Sequence, residues 1–412
     1  MQLTQQIKIG MSIAQEIVLL ALSEKCRLIY NFALKEREDA FEQNIKEINY
    51  VKQQNDLPEL KNKFSEYHWV YSKVLQYTLR TLDADYKSFF ALHKKGDKNA
   101  RPPKFKSKNF FTTMCYNQSG FKVGNGWLEL SHKHPLGTKL RFEIPTKLIF
   151  DKISQVSIYK KNNDYFLSII YDKPEIEFQD NQQYQAFDLG IIKQTAINLQ
   201  SKFKEFTNQR PDKYWQKPIS KLQSRRDHCK RLSKKWYVLN NLHNKCKKKL
   251  SNQQKDFQHK LSRKIVDNTK ANTIIVGDLQ VKNMCKINKY EKGLHRSLQN
   301  TGHIGRIVWF LTYKAKLIGK RIVEISERGT SKKCCCCGKE QDMPLQNRKY
   351  ICDCGNQIDR DRNSSVNIML CYLSQNGLWI VYWQFVNNLR QTGLIIISHS
   401  QEAMSSNLLF RV

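Results

Sequence analysis

Six cysteines crowd into residues 334–354: Cys334-Cys335-Cys336-Cys337 followed by Gly338, then Cys352-Asp353-Cys354 followed by Gly355. Two short knuckles separated by a loop supply four thiolates, the set that a structural zinc ion takes in a tetrahedron. Each knuckle ends in glycine, which a tight turn accepts without a side-chain clash. Spacing favours Cys334 and Cys337 as the first pair, leaving Cys335 and Cys336 as surplus, one of which could replace Cys334. The second pair, Cys352 and Cys354, departs from the usual two-residue gap. The pattern has no open ligand position, so the zinc is expected to fold the knuckle and do no chemistry. The other six cysteines are scattered singly, and the short apolar stretch 17–22 does not read as a secretory signal. A metal site in a reducing cytosol is therefore expected, not a disulfide framework.

The residues just after the knuckle, Asp359-Arg360-Asp361-Arg362-Asn363, lead into an amphipathic run over 365–373. Asp361 should open a helix, where a carboxylate is electrostatically favoured. Far upstream an apolar run ends in Asp188-Leu189-Gly190, which places Asp188 at the end of a strand. Carboxylates that converge from a strand end and a late helix can hold Mg2+ ions that clamp the attacking and leaving oxygens of a phosphodiester. Taken singly, each aspartate reads as an ordinary cap or surface residue; their shared context gives them weight.

Charge points the same way. Lys and Arg number 70 against 37 Asp and Glu, a net charge of +33 over 412 residues. An excess of this size, spread along the whole chain, calls for a polyanionic partner, and nucleic acid is the usual one. No apolar run is long enough to span a membrane.

Residues 3–10 alternate like a strand. From residue 12 to about 98 the pattern is helical, with no glycine before Gly96. Pro102 and Pro103 then break it. In the segment that follows, Arg101, Lys104, Lys106 and Lys108 interleave with Phe105, Phe110, Phe111 and Tyr116. Cations beside aromatic rings suit a nucleic-acid groove, although any one of these rings also suits the core. Residues 121–172 read as β-structure, with a hairpin turn at Asn162-Asn163-Asp164. Residues 213–270 form a basic helical hairpin. The strand 273–276, a helix over 304–318 and the strand 321–325 alternate as in an α/β sheet. The tail after about Val386 is expected to be loose.

Taken together, the segments at 22–38 (LSEKCRLIYNFALKERE), 100–111 (ARPPKFKSKNFF), 187–196 (FDLGIIKQTA), 255–266 (KDFQHKLSRKIV), 274–284 (IIVGDLQVKNM), 328–339 (RGTSKKCCCCGK) and 352–369 (CDCGNQIDRDRNSSVNIM) resemble the TnpB (OrfB) family of insertion-sequence proteins. Members of this family have long been called transposases, and the family is related to type V CRISPR effectors. The last two segments are the most specific.

The resemblance implies a multidomain α+β fold. A β-barrel wedge domain would span 1–11 and 99–178, with a helical recognition lobe inserted at 12–98. An RNase H-like (RuvC) α/β domain would follow at 179–328, carrying the basic hairpin at 213–270. A zinc finger at 329–357, the last RuvC segment at 358–385 and a flexible tail at 386–412 would complete the chain.

It further implies a metal-dependent, RNA-guided DNA endonuclease. Its partners would be a transposon-derived guide RNA and double-stranded DNA bearing a short adjacent motif. Its metals would be structural Zn2+ and catalytic Mg2+, and it would work as a monomer in the bacterial cytoplasm. By position, Asp188 and Asp361 match the first and third catalytic residues. Cys334, Cys337, Cys352 and Cys354 match the zinc ligands, and Arg101, Lys104, Phe105, Lys106 and Lys108 are the nucleic-acid candidates.

One departure matters. The family's middle catalytic glutamate stands in a Val-Glu-Asp-Leu segment, and here the segment is Val276-Gly277-Asp278-Leu279. Either the chain binds DNA under guide control without cutting it, or another carboxylate substitutes. Glu327 is the favoured substitute, because it follows a strand expected beside 273–276, and neighbouring strands are only about 4.8 Å apart. Glu324 and Asp278 are weaker candidates. Strand-joining transposition is disfavoured, since no catalytic tyrosine accompanies a His-hydrophobe-His metal motif.

Overall fold

The alternation of residues 3–10 becomes strand β1 (Gln2–Ile9). A computed structural model describes residues 1–45, 48–148, 150–161, 163–278, 304–326, 329–344 and 347–394. The chain divides into two compact units, Met1–Pro174 and Glu175–Val412. The division falls a few residues before the expected 178/179 boundary. Asn272 Nδ2 donates to Gln179 O (2.8 Å) and Asn181 Nδ2 to Lys270 O (2.8 Å), so this stretch is bound into the second unit.

In the first unit, helices α1 (Ile13–Glu42), α2 (Tyr50–Asn55), α3 (Leu57–Lys63) and α4 (Ser72–Lys94) follow β1. Ser12 and Gln15 start α1 by capping one another: Gln15 N donates to Ser12 Oγ (3.2 Å) and Ser12 N to Gln15 Oε1 (2.9 Å). Val18, Leu22, Cys26, Ile29 and Ala33 recur at three- and four-residue steps and are buried in one core with Val74, Leu75, Leu79 and Leu82 of α4.

The strands come next: β2 (Met114–Asn117), β3 (Phe121–Gly124), β4 (Trp127–Leu130), β5 (Leu140–Glu143), β6 (Lys152–Lys161) and β7 (Asp164–Asp172). Where a barrel is expected, they pair among the described residues as two antiparallel sheets, β1-β7-β6-β2 and β3-β4-β5. The β6–β7 hairpin closes at Lys161 and Asp164, as the Asn-Asn-Asp signal predicts; Asn162 itself lies outside the described residues.

The second unit is built on five strands: β8 (Tyr184–Leu189), β9 (Lys193–Asn198), β10 (Phe203–Thr207), β11 (Thr273–Asp278) and β12 (Arg321–Ser326). Their order is β10-β9-β8-β11-β12, antiparallel from β10 to β8 and parallel from β8 to β12. The basic hairpin is α5 (Pro211–Asp227) and α6 (Lys234–Asn268), joined through Leu232, which is exposed and has a φ of 66° instead of packing with the other leucines. Helix α7 (Ile304–Lys316) precedes β12.

The zinc-type hairpin β13 (Lys349–Ile351) and β14 (Gln357–Asp359) runs straight into α8 (Arg360–Gln375), and α9 (Trp379–Gln391) follows. The tail expected to be loose from Val386 is still helical to Gln391. Leu389 is fully buried there and Asn388 Nδ2 donates to Leu199 O (2.8 Å), so packing overrides the polar composition. Residues 395–412 lie outside the described set.

Each face of the sheet carries its own core. Phe187, Leu189, Ile274 and Val276 pack against Leu261, Ile265, Ile307 and Leu311 of α6 and α7. Tyr184, Ala186 and Ile275 pack against Val366, Met369, Tyr372 and Leu373 of α8 and against the cysteine knuckle. The architecture is a mixed α/β multidomain fold. Among the described residues no helix is long and apolar enough to cross a membrane.

Candidate metal centres

Strand β8 ends in a turn that only glycine fits. Gly190 N donates to Lys193 O (3.1 Å), and a Cβ on Gly190 would lie 2.6 Å from that same oxygen. Successive strand residues point to opposite faces. Tyr184 and Ala186 face α8, so Asp188 faces it too, and the structure leaves this side chain partly exposed.

The direction of α8 brings its first turn to the same edge. Tyr184, at the start of β8, has its ring 5.6 Å from that of Tyr372, near the far end of α8. From Tyr184 to Asp188 the strand advances about 13 Å. From Tyr372 back to Asp361 the helix returns about 16 Å. A second tie fixes this end: Lys193 Nζ, across the turn from Gly190, lies 3.2 Å from Asp359 Oδ2.

Asp359 caps α8, its Oδ1 accepting from Asp361 N (3.0 Å) and Arg362 N (3.2 Å). Asp361 follows in the first turn with its side chain 16 % exposed. Burial pushes its carboxyl above the ordinary aspartate value. The neighbouring Asp359 pushes it further, while Lys193, Arg348 and Arg360 pull it back. Arg348 Nη1 is 3.9 Å from Asp361 Oδ1. A carboxylate held where its own charge is costly has a use for a cation. The oxygen donors suit a hard divalent ion of the Mg2+ kind.

Sequence reasoning placed 321–325 beside 273–276, and the parallel pairing of β11 and β12 does so. Val276 is paired with Phe187 and with Glu324, and Gly277 with Ile325. Gly277 thus stands on the α8 face, between the rows of Asp188 and Ile325, and offers no side chain. Glu324 and Asp278 are exposed and alternate to the opposite face. Glu327 lies outside the described residues, as does Leu279.

The cysteines are better defined. The Sγ atoms of Cys334, Cys337, Cys352 and Cys354 all lie within 4.8 Å of one another. They are the only such group of three or more potential ligands among the described residues. Cys334 and Cys354 are 3.7 Å apart at sulfur, and Cys337 and Cys352 are 3.6 Å apart. A tetrahedral Zn2+ with bonds of about 2.3 Å holds its sulfurs about 3.8 Å apart, so the four fit zinc. Gly338 and Gly355 turn the knuckles at φ of 72° and 87°. Cys335 is buried in the core of this face. Asn356 Nδ2 donates to Cys334 Sγ (3.3 Å), a hydrogen bond of the kind that orients a metal ligand.

Two asparagines on α8 hold the knuckle, and no sequence signal singled them out. Asn363 Nδ2 donates to Lys333 O (2.7 Å) while its Oδ1 accepts from Cys335 N (2.9 Å). Asn367 Nδ2 donates to Thr330 O (2.7 Å) and Lys333 O (2.8 Å). Lys193 and Arg348, the cations around Asp361, were missed in the same way, since only folding brings them there.

In the first unit the loop 101–110 divides. Arg101, Lys104, Phe105 and Lys108 are exposed. Lys106 turns inward instead, its Nζ 3.5 Å from the centroid of the Tyr30 ring, and burial lowers its ammonium pKa. Tyr116 and most of Phe111 belong to the core, while Phe110 stays half exposed.

Residues 168–288 match the OrfB_IS605 family model, described as "Probable transposase", and residues 305–368 match the Cas12f1-like TNB domain. The first match contains Asp188 and Gly277; the second contains the four cysteines and Asp361. A protein of Streptomyces pristinaespiralis is 26 % identical over 85 % of this chain and 84 % of its own length. The InsQ protein of Escherichia coli K12 is 22 % identical over 86 % and 88 %. Both are named "putative RNA-guided DNA endonuclease". A TnpB-like protein of Acanthamoeba polyphaga mimivirus is 31 % identical over 33 % of the chain and 26 % of its own length. Among solved structures, the Cas12f1–sgRNA–target DNA complex matches with a TM-score of 0.55 at 15 % identity, covering 86 % of this chain and 82 % of that one, which shows a shared fold. With matching segments through the sheet and the knuckle, the chain is similar to OrfB_IS605 transposase-family proteins and to relatives named RNA-guided DNA endonuclease or TnpB-like, in line with the resemblance read from its sequence.

Proposed function

We propose that this protein is an RNA-guided DNA endonuclease of the TnpB type, cutting phosphodiester bonds at a metal-dependent RuvC-like site. The observation that carries this reading is the Lys193–Asp359 ion pair, which ties the cap of α8 to the turn after β8, the strand that carries Asp188. That turn lies at the carboxyl ends of β8 and β11, where open α/β sheets bind ligands. The strand order β10-β9-β8-β11-β12 suits an RNase H-like domain. Relatives matched over 85 % and 86 % of the chain carry the endonuclease name.

Asp188 and Asp361 would hold Mg2+ through carboxylate oxygens. The ion would neutralise phosphate charge and lower the pKa of a bound water. Lys193 and Arg348 partly offset the upward push that burial gives the Asp361 carboxyl. Glu327, which lies outside the described residues, would supply the carboxylate that Gly277 lacks. The cysteine knuckle would carry structural zinc.

Guide RNA would supply sequence specificity by base pairing, with the protein holding the hybrid through shape and charge. A charge of +33 suits two nucleic-acid partners, and Arg101, Lys104, Phe105 and Lys108 are exposed to meet one. A monomer in the bacterial cytoplasm completes the reading.

Gly277 favours a second reading: guided DNA binding without cleavage, as in a repressor. Plasmid cleavage with Mg2+ separates the two, using protein co-expressed with its own downstream non-coding RNA. Cutting by the wild type, lost in Glu327→Ala, supports the nuclease with a relocated glutamate. Guided binding with no cut or nicked product supports the repressor.

A further inference from the structure

The amide of Asn363 spans both flanks of one proposed zinc ligand. Its Nδ2 donates to the carbonyl of Lys333, just before Cys334, and its Oδ1 accepts from the amide of Cys335, just after it. Asn363 is completely buried. It stands two residues after Asp361 on the first turns of α8. One turn further on, Asn367 takes the second lone pair of Lys333 O and also binds Thr330 O.

The other end of the knuckle reaches the same helix covalently. Strand β14 ends at Asp359, the cap of α8, and Arg360 N donates to Arg348 O (2.8 Å) across the β13–β14 hairpin. The first turn of α8 is therefore gripped from both ends of the knuckle. A shift of Cys334 moves Asn363, and a shift of Asn363 moves Asp361 with it, because a hydrogen-bonded helical turn moves as a unit.

We propose that Asn363 and Asn367 are positioning residues that couple the seating of the four-cysteine knuckle to the placement of Asp361 for a divalent cation. This rests on the reading of Asp361 as a metal ligand. On this view the knuckle is part of the frame of the metal centre. Groups that orient a metal ligand are typically worth about 10–100-fold in metal affinity.

Mn2+ serves as the probe, titrated by electron paramagnetic resonance into the full-length, zinc-loaded chain, with no cleavage needed. Wild type, Asp361→Ala, Asn363→Ala and Asn367→Ala are compared, and Co2+ exchanged into the knuckle reports its tetrahedral thiolate geometry by visible absorption. The expected result has three parts. Asp361→Ala abolishes the tight Mn2+ site. Asn363→Ala keeps one zinc per chain and weakens Mn2+ about 10-fold or more. Asn367→Ala, which leaves both flanks of Cys334 bonded, weakens it less and serves if Asn363→Ala fails to fold. Unchanged Mn2+ affinity in the folded asparagine variants, with the site lost in Asp361→Ala, overturns the coupling alone. A wild type whose Mn2+ binding ignores Asp361→Ala overturns the reading beneath it.

Discussion

Lys193 Nζ lies 3.2 Å from Asp359 Oδ2, joining the sheet to the helix that follows the knuckle across 166 residues of sequence. The same ammonium is 3.1 Å from Glu205 Oε1, and Arg362 Nε is 2.9 Å from that carboxylate oxygen. The cap of α8 is thus held by a small charge network beside Asp361. Partly buried members of such a network are screened less than isolated surface pairs. Its role is to fix geometry; pairs this exposed contribute little to stability.

Removing either proposed metal ligand should stop cutting while leaving guided binding intact. Asp188→Ala and Asp361→Ala are each expected to lower the cleavage rate by more than ~100-fold, beyond what loss of an orienting group costs. Plasmid cleavage and a gel-shift assay on the same preparations check this. Cutting that survives both changes rules out the RuvC-like site.

The raised carboxyl of Asp361 has a sign that can be worked through. The fold favours its protonated form, so below the unfolded value, about pH 4, the group costs nothing. As pH rises through the folded value the charge becomes a penalty. Asp361→Asn should therefore raise the melting temperature at pH 7 in magnesium-free buffer, with the gain vanishing at acid pH. For the wild type, the acid limb of cleavage should fall at a higher pH than an ordinary aspartate gives. Arg348→Gln should move that limb higher still.

Zinc content should follow the tertiary cluster and not the run of four cysteines. Cys337→Ser and Cys352→Ser should reduce the metal from one ion per chain to none, measured by elemental analysis. Cys336→Ser and Cys335→Ala should keep it. Retention of zinc by Cys337→Ser with loss in Cys336→Ser would reassign the ligands.

Gly190→Ala tests the turn behind Asp188. A methyl group 2.6 Å from Lys193 O forces the backbone to move, at a cost of about 1–3 kcal/mol. A lower melting temperature and reduced cutting with unchanged zinc content are expected. Full activity would show that the turn does not position Asp188.

The two kinds of lysine in the first unit should behave differently. Lys104→Ala and Lys108→Ala should each weaken nucleic-acid binding and lower its salt dependence by about one unit of slope. Lys106→Ala should instead lower stability, because its ammonium packs on the Tyr30 ring. Salt titrations of binding alongside thermal melts separate these outcomes.

Much of this protein was legible in its sequence, because local chemistry determined it. The two knuckles and their glycines, the strand ending at Asp188, the helix opening at Asp361, the β6–β7 hairpin and the basic α5–α6 pair all follow from spacing, periodicity or capping within a few residues. Tertiary structure decided the rest. It gathered the sulfur of Cys334, and not those of Cys335 and Cys336, with Cys337, Cys352 and Cys354, and it turned Lys106 inward while Lys104 and Lys108 stayed in solvent. It kept α9 helical past Val386, because Leu389 is buried there. It also brought Lys193 and Arg348 to the first turn of α8 and tied Asn363 of that turn to the knuckle. These choices depend on contacts between residues that are distant in sequence, set by sheet register and helix packing, which no local pattern encodes.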